Sequence, residues 1–324
     1  MIFLKQWRLW FSLLLFSFCI YFIQPNFDSK NSDFKINFGL DIQGGYSYLL
    51  ELNKDEFKMN LFTKTIQTLK NSYNLRSEIL ADQIFIPAGQ NTETLNKMAI
   101  QSLGLEEIDR SNKGIFLDIM EQNFNQELSQ MTLNAVEIVR SRVDFLGNKE
   151  LSLQKVGLNK ILLEIPGNLD NNVKDIISKT AKLTFHLQKN SLVDTILLVN
   201  ENTGEQVRVQ KTPNITGDLL QDATFQYNQN EPVVAFSFNK KGSDLFAKMT
   251  TENVDSRFAI VLDGALITAP VIREPITGGS GQISGGFDND SANNLAIVLK
   301  SGSLPTGISI IQEKQVGPTL GREG

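Results

Sequence analysis

Few residues of this chain combine a side chain and a spacing that could support catalysis. The chain contains one histidine, His186, and one cysteine, Cys19. Structural zinc clusters use several cysteine and histidine ligands, and a cysteine nucleophile needs a neighbouring histidine base. One residue of each type is too few for a zinc cluster, and Cys19 lies inside the apolar stretch at residues 7–23, so we expect neither arrangement within the chain. We therefore predict that the protein is not an enzyme and that it binds no metal or other cofactor.

The remaining candidates for a chemical role have simpler structural explanations. His186 alternates with Phe185 and Leu187 along a predicted strand, which indicates a surface-facing or hydrogen-bonded histidine rather than a general base. The segment Gly278–Gly281 has the glycine content of a phosphate-binding loop, but no Gly-Lys-Ser/Thr follows it. We interpret it as a flexible hairpin loop.

The conspicuous carboxylates are also explained by structure. Asp41 precedes a pair of glycines, and Asp263 stands before Gly264. An aspartate at a glycine turn usually accepts backbone hydrogen bonds. The acidic run Glu106-Glu107-Ile108-Asp109 is most simply a solvated surface. We therefore expect structural roles for all of these carboxylates.

Length and charge limit the class of partner. The chain has 324 residues and a formal net charge of -5. Nucleic-acid binding needs a basic surface, so the charge argues against a nucleic-acid partner. The length exceeds what a single core usually holds, which predicts two lobes.

An apolar stretch at residues Trp7–Ile23 predicts a transmembrane anchor. It is about as long as a spanning helix requires, and Lys5 and Arg8 lie at its N-terminal end. This bias predicts a cytoplasmic N-terminus and an exported remainder, which in a bacterium would lie in the periplasm at the inner membrane. A cleaved signal peptide is the alternative, but no small residues mark a cleavage site. Lipoprotein processing at Cys19 is disfavoured because Phe18 precedes it.

The first folded elements predicted are a strand at Tyr46–Leu52 and a helix at Lys54–Asn74. A unit with the order strand, helix, strand, strand, helix, strand follows them. Its strands are predicted at Ile115–Ile119, Leu151–Val156, Lys160–Ile165 and Leu183–Leu187, with a helix that ends at Gly147 and a second helix over Asp170–Thr180. This order is that of the ferredoxin-like βαββαβ unit.

A second copy of the same plan follows. Its strands are predicted at Pro232–Phe238, Phe258–Leu262, Ala265–Ile272 and Ile308–Ile311, with helices that carry Phe246 and Leu295. Asp263-Gly264 predicts a two-residue hairpin turn. We therefore expect an α+β protein with a transmembrane anchor at 7–24, a linker at 25–36, a base lobe at 37–195, a head lobe at 196–287, and a return to the base at 288–321.

Ordered motifs along the chain resemble those of the SecD/SecF family of protein-export membrane subunits. The first is Gly39-Leu40-Asp41-Ile42-Gln43-Gly44-Gly45, after the predicted anchor. The others are Arg142-Val143-Asp144-Phe145-Leu146-Gly147, Leu163-Glu164-Ile165-Pro166-Gly167, Leu262-Asp263-Gly264 with Ala269-Pro270, Leu299 to Pro305 around Gly302, and Val316-Gly317-Pro318-Thr319-Leu320-Gly321. Each motif alone is weak, but the ordered set is specific.

The resemblance implies a function in protein export. It implies one anchor followed by a large periplasmic domain with a base lobe and a mobile head lobe. It also implies SecF, the SecYEG channel, SecA and a translocating unfolded polypeptide as partners, and use of the proton gradient. Family members continue into further transmembrane helices, which hold the carboxylate thought to carry protons, so no residue here is assigned that role. A periplasmic lobe of a resistance-nodulation-division type small-solute exporter is the alternative, since that class shares the ferredoxin-like plan.

Polypeptide binding would need an exposed strand edge or a shallow apolar groove. The strand Pro232–Phe238, with Val234 at its centre, is one candidate. The glycine-rich segment Gly278–Gly286, which contains Ser280, is the other. Val234 and Ser280 are therefore the predicted polypeptide contacts.

Overall fold

A computed structural model describes residue 11 and residues 14–18, 44–90, 92, 95–146, 151–167, 173–200 and 203–317. Residues 11 and 14–18 are helical, and the remainder of the predicted anchor and the linker lie outside the described residues. Within the described part, no helix is both long and apolar enough to cross a membrane. The motif residues Gly39, Asp41, Gly147, Pro318 and Gly321 also lie outside it.

The described part of the chain contains both α-helices and β-strands. The helices are α1 (Lys54–Tyr73), α2 (Lys97–Ser102), α3 (Glu121–Phe145), α4 (Val173–Ser178), α5 (Lys240–Glu252) and α6 (Asn289–Ser301). The strands are β1 (Gly45–Leu52), β2 (Glu78–Leu80), β3 (Gln83–Pro87), β4 (Leu105–Ser111), β5 (Gly114–Ile119), β6 (Ser152–Val156), β7 (Lys160–Pro166), β8 (Leu183–Leu187), β9 (Thr195–Val199), β10 (Gln206–Gln210), β11 (Ile215–Thr216), β12 (Leu220–Asn228), β13 (Glu231–Phe238), β14 (Phe258–Leu262), β15 (Ala265–Thr268), β16 (Ser280–Ile283) and β17 (Ile308–Val316).

Helix ends follow the local sequence. The side chain of Asn53 accepts hydrogen bonds from the backbone of Asp55 and Glu56 and so begins α1, and Asn74 ends it in a left-handed conformation. Asp288 and Ser291 form a reciprocal capping box at the start of α6. The turn residues Asp263 and Gly264 both have positive φ and close the β14–β15 hairpin, as predicted.

The base sheet is antiparallel with strand order β17-β1-β7-β6. Its buried face carries Tyr48, Leu50 and Leu163, which pack against Val139 and Val143 of α3. We call this packed set, which also includes Leu304 and Ile308, the base cluster. A second antiparallel sheet, β2-β3-β5-β4, packs against Phe62 and Leu69 of α1.

Two further sheets are a four-stranded sheet, β11-β8-β14-β15, and a three-stranded sheet, β12-β13-β16. Both pack with α5 and α6 around one set of buried residues, the head cluster, which is rich in phenylalanine. Phe185 lies 5.6 Å from Phe236 and 5.4 Å from Phe238 between ring centroids. The β9–β10 hairpin covers the opposite face of β14. Burial on both faces explains the uninterrupted apolar sequence of Phe258–Leu262.

The elements of the two predicted βαββαβ units are present, but their grouping into sheets was predicted wrongly. In the first unit, β5 joins β3 and β4, and β8 joins β14, while only β6 and β7 share the base sheet. The elements of the second unit are divided among three sheets. Local alternation identifies a strand, but the choice of partner depends on which distant surface covers its apolar face. The structure is a mixed α+β fold of several small antiparallel sheets.

The paired glycines of the first motif lie at a close backbone approach. Gly45 has φ of +150°, and a Cβ atom there would overlap the carbonyl oxygen of Ile165. Gly167 N donates a 2.9 Å hydrogen bond to Gly44 O beside it, next to Pro166. The start of β1 and the end of β7 therefore meet where a side chain at residue 45 has no space.

We predict that Gly45→Ala destabilises the protein by about 3 kcal/mol or more, because backbone rather than a flexible side chain blocks the added methyl group. Gly278→Ala is the matched control, since a Cβ at Gly278 meets nothing within 4 Å. The free energy of unfolding, measured by pulse proteolysis in urea, checks both variants. Equal stability of the two variants would contradict the assigned backbone contact.

Candidate functional site

The chain passes twice between the base cluster and the head cluster, and the two crossings touch. Val173 and Ile177 of α4 lie in the base cluster, whereas Ile176 of the same helix and Ala181 after it lie in the head cluster. On the return, α6 packs in the head cluster and Leu304 in the base cluster. The backbone of Leu304 donates a 2.8 Å hydrogen bond to Thr180 O. We call residues 179–182 and 302–306 the interlobe junction.

Arg142 of α3 fills the centre of this junction. Its side chain is fully buried, and its guanidinium donates to Ile176 O at 2.9 Å and to Lys179 O. It also donates to Gly302 O at 3.1 Å and to Ser301 Oγ at 3.2 Å. These acceptors are the ends of α4 and α6, where helical carbonyl groups lack partners and carry partial negative charge. One side chain of the base therefore holds both crossings.

Arg142 keeps its positive charge despite its burial. Burial lowers the pKa of Arg142 to about 10, and the nearby Asp263 carboxylate opposes that shift. The guanidinium is therefore protonated at neutral pH. A buried charge is tolerated when it is paired and fully hydrogen-bonded, and the carbonyl groups of the junction provide those bonds.

Asp263 holds the first crossing from the head side. Its carboxylate accepts hydrogen bonds from Thr180 Oγ1 at 2.5 Å, from Ala181 N at 3.1 Å and from Lys182 N at 2.8 Å. The prediction of a structural carboxylate gave the correct type of bond, but the donors lie in the junction rather than in the turn of Asp263 itself. The left-handed conformation of Asp263 in the hairpin turn places its side chain for this contact.

A lysine of α6 joins this helix to β12 and to the end of α3. Lys300 Nζ lies 3.0 Å from Asp222 Oδ1 of β12 and 5.5 Å from the ring centroid of Phe145 at the end of α3. The Lys300 ammonium lowers the pKa of Asp222. Sequence reasoning placed Lys300 in a motif but missed the contacts of Lys300, Asp222 and Thr180, because their partners are distant along the chain.

The structure therefore brings together three motif residues, Arg142, Asp263 and Gly302, that are widely separated in sequence. Gly302 has a φ of +91° that favours glycine at the end of α6. Pro305 is also near, and its carbonyl accepts from Asn60 of α1. The other described motif residues lie apart from the junction: Gly44, Gly45, Pro166 and Gly167 at the β1–β7 corner, Gly264 in the hairpin turn, Pro270 whose carbonyl accepts from Phe258, and Gly317 after β17.

The predicted polypeptide contacts have different environments. Val234 is fully buried on β13, which is the central strand between β12 and β16. The strand edge assigned to Pro232–Phe238 is therefore occupied on both sides, and Val234 has no exposed surface for a client. Ser280 is exposed and lies on β16, an edge strand of this sheet.

A shallow groove of about 460 Å³ lies on the face of this sheet that points away from the phenylalanine-rich core. Small and polar side chains dominate its lining, which consists of Asp222, Thr224, Gln226, Ala235, Phe236, Ser237, Ser280, Gly281 and Gln282. The groove ends at the free edge of β16. Its lining offers hydrogen-bonding groups but no nucleophile with an adjacent base.

His186 is a hydrogen-bonded strand histidine, in agreement with one of the two predicted environments. It is buried, its Nδ1 lies 2.8 Å from Gln210 O, and its Nε2 lies 3.0 Å from Thr184 Oγ1. Burial lowers the pKa of His186, which favours the neutral ring. In that form Nδ1 donates to the Gln210 carbonyl group and joins β8 to β10, while Nε2 accepts from the Thr184 hydroxyl group within β8.

The acidic run, which we interpreted as a solvated surface, is exposed in the structure. The acidic run lies on β4, an edge strand of its sheet, with Glu106, Glu107 and Asp109 exposed. Glu107 pairs with Arg110, whose hydrogen bond lowers the pKa of Glu107. Charge on an edge strand discourages pairing with other chains.

Among the residues that the structure describes, no group of three or more His, Cys, Asp and Glu side chains could hold a metal ion.

Comparison with known proteins identifies the family. Residues 132–190 match the family model of the N-terminal P1 domain of protein translocase subunit SecDF, and residues 194–306 match that of the SecDF P1 head subdomain. The protein translocase subunit SecD of Rickettsia conorii is 36% identical over an alignment that covers 99% of this chain and 67% of that protein. The chain belongs to the SecD family.

A more distant SecD, from Magnetococcus marinus, is 31% identical and aligns with 98% of this chain and 67% of its own length. A crystal structure of SecDF in a super-membrane-facing form shares the fold with a TM-score of 0.55 and 23% identity, over 98% of this chain and 36% of that chain. The chain thus spans about two thirds of its SecD relatives and about a third of that SecDF chain. The SecD relatives connect the chain with Sec protein translocation.

We predict that Arg142→Met destabilises the protein by about 3 to 5 kcal/mol, because it leaves the buried carbonyl groups of two helix ends without a donor. Arg140→Met on the same helix is the control, and we expect a change within about 0.5 kcal/mol, since Arg140 is only half-buried. Urea denaturation checks both variants. Similar losses for the two would contradict the role assigned to Arg142.

We predict that stability falls as the pH drops below about 6.5, and that His186→Asn reduces this dependence. Because burial lowers the pKa of His186, the unfolded chain takes up the proton first, so the stabilisation is complete above the unfolded-state pKa and is lost as pH falls towards the folded-state pKa. Melting temperatures at about pH 7.5 and about pH 5.5, on either side of the usual histidine pKa, check this. An unchanged difference in the variant would contradict it.

Proposed function

We propose that this chain is the polypeptide-contacting part of a membrane-anchored accessory subunit of Sec protein export, with the base and head lobes in the periplasm. The free edge of β16 beside an exposed polar groove is the observation that carries the proposal. An unfolded client offers unpaired backbone groups, and a free strand edge binds such groups by strand addition. The main chain is common to all clients, so this mode of binding tolerates variation in client sequence.

The hydrogen-bond alternation of β16 indicates which residues would bind. Phe238 N donates to Gly279 O, which makes Phe238 and Gly279 a bonded pair of the antiparallel ladder. Bonded and non-bonded pairs alternate, so Gly281 also faces β13, whereas the backbone groups of Ser280 and Gln282 face the free edge. These two residues, rather than Val234, are the proposed client contacts.

The junction supports a proposal for how the lobes work together. Each lobe has its own buried cluster, and residues 179–182 and 302–306 connect them. We place the lobe boundaries at these crossings. The head would move about the junction while it holds a client, and the movement would be driven by the proton gradient through membrane helices outside this chain. SecF, SecYEG and SecA are the proposed partners.

The topology of the base sheet supports a ferredoxin-like base. Its strands have the order β17-β1-β7-β6, with α3 and α4 against its buried face. We propose that this sheet is a split βαββαβ unit that carries two insertions, one at 54–119 and the other containing the head. The match to SecD relatives over 99% of the chain disfavours the small-solute exporter alternative.

We predict that Gln282→Pro lowers photo-crosslinking of a stalled export intermediate to residue 280 by about fivefold. Proline removes the outward N–H at position 282, and one hydrogen bond contributes about 1 kcal/mol. Gln282→Ala is the matched control, because it also removes the side chain but keeps the N–H.

The crosslinker is placed at residue 280 for the test and at residue 234 for comparison. The proposal expects labelling at 280 in the parent protein and in Gln282→Ala, and little at 234. Equal loss in both variants would show that the glutamine side chain, not the strand edge, is the contact. No labelling at 280 in any variant would contradict the proposal.

A further inference from the structure

A second exposed surface of the head has a different chemical character. The turn before β9 exposes Leu192 and Val193, with 80% and 71% of their surfaces accessible. Leu197 and Val199 on the outer face of β9 are also exposed, while Leu198 on the other face is buried. We call these four exposed residues the apolar tip.

Hydrogen bonds hold the turn in place. Ser191 Oγ accepts from Val193 N at 3.1 Å, and Ser191 O accepts from Thr195 Oγ1 at 2.8 Å. Asp194 has a φ of +54° and accepts at its carbonyl from Lys211 N at 2.8 Å. Leu192 and Val193 are therefore presented outward by an ordered turn, and their exposure is a fixed feature of the head.

Three basic residues neighbour the apolar tip. Arg208 lies directly opposite Leu197 in the β9–β10 pair, on the same face of the hairpin. Lys211 is joined to the turn through its backbone, and Lys189 is joined through its backbone to Arg208. None of these three forms an ion pair with another described residue, in contrast with Arg257, which pairs with Glu205. Asp194 is the acidic side chain of the turn.

We propose that the apolar tip docks on an anionic lipid surface, with Leu192 and Val193 at the boundary between head groups and acyl chains. Exposed apolar side chains contribute burial at that boundary, and flanking cations contribute attraction to anionic head groups. Unpaired cations beside apolar side chains favour this occupant over a cationic or neutral protein surface. The strand edge at Ser280 and Gln282 lies on a different sheet, so lipid docking and client binding use separate surfaces.

The test uses the full chain with Cys19→Ser and an environment-sensitive NBD label introduced through Val193→Cys. Vesicles are made of phosphatidylcholine alone or with about 30% phosphatidylglycerol, each with doxyl-labelled lipid as a quencher. The tip should show blue-shifted NBD emission and quenching in anionic vesicles. Arg208→Gln should weaken this quenching about fivefold, and replacement of all three cations by glutamine should abolish it.

The matched control is a label introduced through Met98→Cys. Met98 is 78% exposed, but its helix lies beside the acidic strand β4. A label there should not be quenched. Equal quenching at positions 193 and 98 would overturn the proposal. Equal quenching of the label at position 193 in neutral and in anionic vesicles would also overturn it. A blue shift that requires added unfolded polypeptide rather than anionic lipid would also overturn it, because the tip would then bind protein.

Discussion

A guanidinium without access to solvent, held between the ends of two helices, connects the base cluster to the head cluster. Arg142 lies on α3, which packs in the base cluster, yet its acceptors include the end of α6, which packs in the head cluster. A buried charge fixes geometry strongly because every donor must find an acceptor. Asp263 holds the same crossing from the head side. The two crossings therefore depend on one network, which keeps the clusters of the base and the head separate but adjacent.

Sequence patterns predicted the types of element and several of their ends. The periodicity of Phe57 to Tyr73 gave α1, and Asp263-Gly264 gave the β14–β15 turn. The patterns did not predict which strands pair in a sheet. The apolar residues of β5 and β7 alternate in a similar way, and the two strands differ only in the distant surfaces that cover them. Val234 was assigned to an exposed edge for the same reason, since alternation does not show whether a strand is central.

The candidate site was only partly predictable. The family resemblance identified Arg142, Asp263 and Gly302 as motif residues, but their meeting at one junction depends on tertiary contacts. Ser280 was predicted as a client contact from its glycine neighbours, and that stays a prediction, whereas the outward direction of the Gln282 backbone follows only from the ladder with β13. The sheet with the exposed β16 edge thus packs on the aromatic head cluster, and the junction links that cluster to the base cluster.

We expect the Arg142 network to restrain the head cluster against the base cluster. Spin labels at Gln154→Cys on β6 and Gln226→Cys on β12, both at exposed residues and in a Cys19→Ser background, measure this restraint as a distance distribution. We expect a narrow distance distribution in the parent protein and a broad one with Arg142→Met, while hydrogen exchange shows that both clusters stay folded. An equally narrow distribution in the variant would show that Arg142 does not restrain the two clusters.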